Sequence, residues 1–350
     1  GQKLEGSEKI CPACNKAVVY NATDSIYMCA ISDSLFENDY PAKIHPDTIF
    51  RMDQYFDTIG ICWTDTLVWH SMRLNDTILQ VNDSIVFEDV RGNKVYYLTA
   101  YLNNGDSICY AITFTNLPIV VLEGDFGYDY AEGVVDMYHP DSIGAMRGMS
   151  AKIKWRGGST NTSGKHKRNY TMKFLNDKGK KQKRQFFGLR TSNYWILNAG
   201  QVDLSRCRNM VCHELWQDMA TKPYYIDQAP DAITNSRGRF VEVILNGKHK
   251  GNYLLCEHIK VDKNRVNIHE LEEGDIDGGY IMELDVYYDE TYKFKSAIRQ
   301  LPYMFKDPDE VNEQQIAFMQ NFINELEASL YDDAKFAERD YLNYMDIDSY

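Results

Sequence analysis

The chain has 350 residues, a hydrophobic content of 44% and a formal net charge of −13. This length predicts two domains, and the acidic balance argues against nucleic acid as the main partner. No run of eighteen apolar residues is present, so the sequence predicts no transmembrane helix.

The N-terminus reads Gly-Gln-Lys and carries no signal peptide. An export signal or lipoprotein anchor removed from this chain is compatible with that start. Cys11-Pro-Ala-Cys14 is an isolated C-x-x-C pair, which fits a local disulfide or structural thiols, a metal site, or a redox motif. The absence of a second pair makes metal and redox chemistry the less favoured interpretations. Cys207, Cys212 and Cys256 are expected in the core, because free cysteines are often buried.

The first part of the chain repeats one tripeptide, Asp followed by Ser or Thr and an aliphatic residue. It occurs nine times, beginning at Asp24, Asp33, Asp47, Asp57, Asp65, Asp76, Asp83, Asp106 and Asp141. Asp and Ser/Thr close turns through side-chain hydrogen bonds, and the aliphatic residue opens the next strand. Short strands at this spacing predict an all-β sandwich over residues 1–115. The tripeptide also resembles the O-glycosylation acceptor of exported Bacteroidetes proteins, which would place the protein in the periplasm or on the cell surface.

The next region reverses the charge of the chain. Residues 152–190 contain thirteen Lys and Arg and one acid, Asp177. Alternation in "SAKIKWRG" and in "RNYTMKF" predicts an antiparallel hairpin with Lys152, Lys154 and Arg156 on the polar face. Its Gly-rich tip matches no phosphate-loop consensus. The hairpin is therefore either a solvated basic surface or a site for an anionic ligand.

Further elements follow in order. "NYWILNAG" predicts a buried strand, and Asp203 is the expected N-cap of a helix whose apolar stripe runs from Leu204 to Met219. Arg208 and Asn209 are then expected near the middle of that helix. Asn246-Gly247 predicts a tight hairpin turn. The Asp275-Ile-Asp277-Gly segment lacks the remaining calcium ligands and predicts a turn. Asp307, with Pro308 in the first turn, is the expected N-cap of a long amphipathic helix.

Five short motifs follow one another along the chain, and each of them alone is a weak indication of a protein family. They are Arg156-Gly157, Lys167-Arg168-x-Tyr170, Asp203-x-Ser205-x-x-Arg208-Asn209, Asn246-Gly247-x-x-x-Gly251-x-Tyr253-x-x-x-Glu257, and Gly278-Gly279-Tyr280. Together, over roughly residues 116–350, they resemble the spore coat protein H (CotH) kinase family in a form typical of exported Bacteroidetes proteins. The resemblance implies a protein-kinase-like α+β domain over 116–350, with an antiparallel N-lobe sheet and C-terminal helices.

The resemblance also implies ATP and Mg²⁺ (or Mn²⁺) as cofactors and a Ser/Thr residue of an exported protein as substrate. By the logic of kinases, a strand lysine grips the phosphates and a carboxylate orients it. Lys167 is the first candidate for that lysine and Arg168 the second, with Glu257 as the carboxylate and Arg156 as a phosphate contact. Asp203, Arg208 and Asn209 form a structural motif.

The family's catalytic Asp and metal-binding segment are expected beyond Tyr350, so this chain alone is expected to be inactive. Two alternatives stay open at this point. One is a nucleotide-binding pseudokinase. The other is a non-catalytic surface module that recognises glycan or protein.

Overall fold

The structure is a computed structural model of the chain. Between residues 18 and 88 it describes seven strands. From there it describes residues 94–102, 105, 107–138, 146–162, 164, 166–220, 225–232 and 235–347. The Cys11–Cys14 pair and the tripeptides at Asp33, Asp65 and Asp141 lie outside the described residues, as do parts of those at Asp24, Asp57, Asp76, Asp83 and Asp106. The chain divides into two compact units, Gly1–Arg208 with Gly238–Glu257, and Asn209–Arg237 with His258–Tyr350.

Two sheets occupy the chain up to residue 115. Their strands in chain order are β1 (Val18–Asn21), β2 (Ile26–Ile31), β3 (Asp47–Arg51), β4 (Thr58–Trp63), β5 (Trp69–Leu74), β6 (Thr77–Leu79), β7 (Ser84–Glu88), β8 (Val95–Leu102) and β9 (Ser107–Thr115). One sheet has the order β1-β2-β4-β7 and the other β3-β9-β8-β5-β6. The strands predicted between the Asp-Ser/Thr turns are therefore present. Packing of the two sheets as a sandwich, and a domain boundary at 115/116, stay predictions.

A closed barrel follows. Its strands are β10 (Ile119–Glu123), β11 (Ala131–Tyr138), β12 (Met149–Arg156), β13 (Asn169–Phe174), β14 (Tyr194–Asn198), β15 (Gly238–Leu245) and β16 (Lys248–Glu257). The order around the barrel is β10-β11-β12-β13-β14-β16-β15, and the parallel pair β10–β15 closes it. All other neighbours in the barrel are antiparallel.

Strict alternation decides which side chains fill this barrel, because successive residues of a strand face opposite sides. Ile153, Met172 and Trp195 are fully buried in its core. On β12, Lys152 and Lys154 alternate with those interior residues and face outward. The predicted hairpin of β12 and β13 is thereby confirmed, with Trp155 opposite Tyr170 in register.

The second hairpin of the barrel is confirmed as well. Asn246 and Gly247 connect β15 to β16 and have φ values of 47° and 73°. Two positive φ values in succession are the geometry that Asn-Gly favours in a two-residue turn. Cys256 on β16 is buried, as predicted.

The second unit combines helices with a small sheet. Its elements are α1 (Arg208–Met219, whose first residue belongs to the first unit), β17 (Ile281–Leu284), β18 (Lys293–Lys295), β19 (Pro302–Asp307), α2 (Glu313–Tyr331) and α3 (Asp333–Glu338). The sheet has the antiparallel order β17-β19-β18. Val311, Met319 and Ile323 share a buried cluster with Phe294 and Phe305 of the sheet. Before β17, Asp275 lies in a turn, as predicted, and accepts a hydrogen bond from the Glu272 amide at 2.9 Å.

Two helix starts differ from their predictions. The long helix begins after Asn312 and not after Asp307, which ends β19. Asn312 and Gln315 exchange side-chain and backbone hydrogen bonds at 2.9 Å, so two otherwise unpaired amides are satisfied at once. Asp307 and Glu310 have the same sequence spacing, but Asp307 pairs with Ile281 as the last residue of β19.

The earlier helix was predicted to follow Asp203, but α1 begins at Arg208. Arg208 and Asn209 are therefore its first two residues, and the expected position near its middle is wrong. Leu204 is 98% exposed in the turn before the helix, and α1 has no buried residue. The expected burial of Cys207 and Cys212 is wrong for the same reason, since both are exposed. Among the described helices, none has the length and apolar character needed to span a bilayer.

Candidate functional site

The tip of the β12–β13 hairpin is an ordered turn held by Arg168. Gly157 has φ of +96°, and a Cβ there would collide with the Thr160 hydroxyl, so the turn requires glycine. The Arg168 guanidinium donates to the carbonyls of Asn161 and Thr162, the latter at 2.8 Å. It also lies 4.6 Å from the centroid of the Trp155 ring. Arg168 therefore positions the loop, and its charge is already engaged with carbonyl oxygens.

Lys167 occupies a different environment. Its Nζ donates to the Asn252 carbonyl and lies 4.1 Å from the centroid of the Tyr253 ring. Its backbone amide donates to Oε1 of Gln201 at 2.5 Å. The residue is 9% exposed. Within the described residues it forms no ion pair with a carboxylate, and the direct partners of its ammonium are a carbonyl dipole and the face of an aromatic ring.

This environment changes the acidity of the ammonium group. Burial, and after it the nearby positive charge of Arg206, lowers the pKa of Lys167 from 10.5 to about 8. The carboxylate of Glu242 acts in the opposite direction. Glu242 is also bound to Nε2 of His249 at 2.7 Å. An anionic ligand beside Lys167 would supply the missing counter-charge and restore the charged form.

Arg206 and Gly251 complete the candidate site. A Cβ placed on Gly251 would lie 3.9 Å from Nη1 of Arg206 and 4.0 Å from Nζ of Lys167. The two cationic groups therefore converge on one position above β16, and the missing side chain of Gly251 leaves that position open. Gly251 has φ of +77°, a conformation that glycine adopts at little cost. Cations beside bare backbone are a combination that suits a phosphate group.

Glu257, the predicted partner of Lys167, lies elsewhere on β16. Its side chain is 1% exposed, and Oε1 accepts a hydrogen bond from the Arg190 amide at 2.8 Å. Four residues separate it from Tyr253, a distance of roughly 13 Å along a strand. The structure therefore does not bring Glu257 to Lys167, and the role of Glu257 in nucleotide binding stays a prediction.

Arg156 is exposed at the end of β12, opposite Asn169 in register. Its predicted contact with phosphate stays a prediction, because its guanidinium does not share the Lys167–Arg206 position in the structure.

The Asp203 motif organises the chain before α1. Its carboxylate accepts hydrogen bonds from the Ser205 hydroxyl at 2.8 Å and the Arg208 amide at 3.0 Å. The Arg208 amide bond is the main cause that lowers the pKa of Asp203, and Ser205 adds to it. Arg206 lies inside this turn with φ of 59°, so Asp203 fixes the backbone that presents Arg206.

Sequence analysis identified Lys167 but missed Arg206, Gln201 and the open position at Gly251. Gly251 and Tyr253 belong to a motif that was recognised, yet no role followed from the spacing. Arg206 stands between two motif residues, Ser205 and Arg208, which was the available signal. Among the described residues, no three His, Cys, Asp or Glu side chains cluster closely enough to hold a metal ion.

A known protein family resembles this chain over a range that includes the candidate site. A protein-family model described as CotH kinase protein matches residues 153–350. The matched range begins in β12 and contains Lys167, Arg206 and Gly251. A search of curated proteins found no significant match.

Proposed function

The chain belongs to the CotH kinase protein family, and we propose that it binds ATP through Lys167 and Arg206. In this proposal it transfers the terminal phosphoryl group to a Ser or Thr of an exported protein. The observation that carries the proposal is the convergence of Lys167 and Arg206 on the open position at Gly251. We also propose a periplasmic or cell-surface location, on the strength of the Asp-Ser/Thr tripeptides alone.

The position at Gly251 fits a phosphate group for three reasons. The Arg206 guanidinium and the Lys167 ammonium both lie about 4 Å from the position that a Cβ on Gly251 would occupy. Because residue 251 is glycine, it has no side chain to occupy that position. The buried Lys167 lacks a carboxylate partner among the described residues, so phosphate would not have to displace an existing ion pair.

The residues of this chain have distinct parts in the proposal. Lys167 and Arg206 hold phosphate oxygens, Gln201 fixes the backbone of Lys167, and Arg168 holds the neighbouring loop. ATP, when bound, supplies the phosphoryl group that is transferred. The described residues offer no acidic cluster that fits Mg²⁺ or Mn²⁺, so no step is assigned to a metal here.

A biotin-labelled acyl-phosphate of ATP tests the binding step directly. The neutral amine of a lysine beside the phosphates attacks the acyl carbonyl, and ATP leaves as the amide forms. Because the pKa of Lys167 is about 8, a useful fraction of the amine is neutral near pH 8. We expect mass spectrometry to find the acyl group on Lys167 and excess ATP to prevent its attachment.

Lys178 serves as the matched control, since it is an exposed lysine in the turn after β13. We expect Arg206→Gln to reduce labelling of Lys167 by about tenfold or more, because a charge-assisted contact contributes ~1.5–3 kcal/mol. Labelling of Lys167 no faster than Lys178, or indifferent to ATP, would show that the site does not hold nucleotide. Transfer of labelled phosphate from ATP to protein then separates a kinase from a protein that only binds ATP.

A further inference from the structure

The outer face of the barrel carries a second basic cluster, separate from Lys167. We define the lysine–tyrosine face as Lys152, Lys154, Lys173, Tyr130 and Tyr194. On β12 and β13, Lys152 lies directly opposite Lys173. Lys154 follows two residues later on the same side of β12. None of these five side chains belongs to the site proposed above for ATP.

Two tyrosines hold this face in a defined geometry. Nζ of Lys154 lies 4.7 Å and Nζ of Lys173 lies 4.6 Å from the centroid of the Tyr130 ring. Lys173 also lies 4.9 Å from the Tyr194 ring, and the two tyrosine hydroxyls are 3.2 Å apart. The ammonium groups of Lys154 and Lys173 are thus oriented over aromatic rings, which reduces the entropy that a ligand would have to remove.

Lysine side chains lie opposite each other on this face. Like charges directly opposite in a sheet destabilise it, and Lys152 faces Lys173 in that way. The nearest acid in register is Glu132, opposite Lys152 on β11. In the part of the chain that the structure describes, neither Lys152 nor Lys154 forms an ion pair. A bound anion would therefore supply a counter-charge that Lys152 and Lys154 do not have among the described residues.

The spacing of the lysines identifies the shape of the ligand. Lys152 and Lys154 are two residues apart on one strand, so their side chains repeat every ~7 Å. Alternate side chains of an extended polypeptide have the same repeat. A segment with acidic residues at alternate positions would place successive carboxylates beside successive lysines.

The charge of the whole chain favours a short segment over a large anionic surface. The net charge is −13 although residues 152–190 carry an excess of twelve positive charges. The negative net charge of the whole chain disfavours association with a membrane or a long polyanion. A short acidic peptide would contact only the lysine–tyrosine face.

We propose that the lysine–tyrosine face docks an extended acidic segment of the protein that receives the phosphoryl group. This inference rests on the proposed function, because it assigns the segment to a kinase substrate. It makes acidic Ser/Thr-containing polypeptides the substrate class. Lys152 and Lys154 act here as docking residues and take no part in the chemistry.

Fluorescence anisotropy with a labelled peptide of alternating Asp and Ser tests the proposal. The test variant is Lys152→Glu/Lys154→Glu, and the matched control is Lys178→Glu/Lys180→Glu, which makes the same change of charge on an exposed turn. Each exposed ion pair contributes up to ~1 kcal/mol, and charge reversal adds repulsion. We expect the test variant to lose about tenfold or more in affinity and the control to change by less than about twofold. Circular dichroism of both variants checks their fold.

Three results would overturn the docking proposal. The first is equal peptide affinity in the wild type and the test variant. The second is an equal loss in the control, which would show a general effect of charge. The third is binding of phosphatidylglycerol vesicles through Lys152 and Lys154 without binding of the peptide, which would assign the face to a membrane.

Acyl-phosphate labelling of Lys167 in the same variants separates the two proposals. Normal labelling without peptide binding would reject the docking segment and leave the nucleotide site intact. Peptide binding without labelling at Lys167 would reject the kinase function, and with it the identification of the peptide as a kinase substrate.

Discussion

The lowered pKa of Lys167 predicts that ATP affinity falls as the pH rises. With a pKa of about 8, roughly nine-tenths of the free protein carries the Lys167 charge near pH 7 and roughly one-tenth near pH 9. Bound phosphate favours the charged ammonium and raises its pKa in the complex. The affinity should therefore decrease by up to about tenfold over this interval. The phosphates of ATP lose their last proton near pH 6, so their own charge changes little.

Isothermal titration of ATP at several pH values measures this dependence. Burial raises the pKa of the Tyr253 hydroxyl, so Tyr253 stays neutral over the interval. We expect Lys167→Met to bind ATP more weakly and without this slope. The His249→Gln variant controls for the imidazole beside Glu242 and should keep the slope. A flat profile in the wild type, or an unchanged slope in Lys167→Met, would refute the reasoning.

Lys167 also makes the free energy of unfolding depend on pH. The unfolded chain holds a proton on this lysine up to its ordinary pKa of 10.5, whereas the folded chain releases it at about 8. Between these values the unfolded state binds more protons. The contribution of Lys167 to the free energy of unfolding therefore rises with pH across this interval and is lost as the pH falls through about 8.

Three further predictions concern stability and modification. Asn312→Ala removes the capping box of α2 and should lower the free energy of unfolding by about 1 kcal/mol in urea titrations, whereas Asn321→Ala, on the exposed side of the helix, should be near neutral. Glu327→Ala leaves the Ser296 hydroxyl and the Ile298 and Arg299 amides without their shared acceptor, and should cost about 3 kcal/mol or more. Glu325→Ala is its exposed counterpart, and an equal loss in both would contradict the argument. In protein from the native host, mass spectrometry should find glycan on several of the nine Asp-Ser/Thr sites; nine unmodified sites would end that hypothesis.

The strands were predicted well because alternation and turn residues are properties of short stretches of sequence. Alternation placed Lys152 outward and Ile153 inward, and Asn246-Gly247 specified its turn by backbone preference alone. Helix starts were predicted less well, since Asp203 and Asp307 are both plausible caps by residue type. Asp307 with Glu310 and Asn312 with Gln315 both have the spacing of a capping box, but only the second pair forms one, because Asp307 is paired with Ile281 in the sheet.

The candidate site required information that no local pattern contains. Lys167 Nζ reaches a carbonyl 85 positions later in the chain, and the two segments are neighbours because β14 pairs with both β13 and β16. Arg206 joins it only through the Asp203 turn. The predicted role of Glu257 in nucleotide binding stays a prediction, since its carboxylate accepts from the Arg190 amide farther along β16.

The basic stretch of residues 152–190 is one feature by charge but several by structure. Lys167 is buried beside Tyr253, Arg168 is engaged with loop carbonyls, and Lys152 is exposed on the outer face. Salt distinguishes these environments, because exposed charges are screened within about 10 Å at ~0.1 M ionic strength and buried charges much less. Peptide binding at the lysine–tyrosine face should therefore weaken with salt more steeply than ATP binding at Lys167. A charge count treats all thirteen cations alike, and only their burial separates a docking surface from a phosphate site.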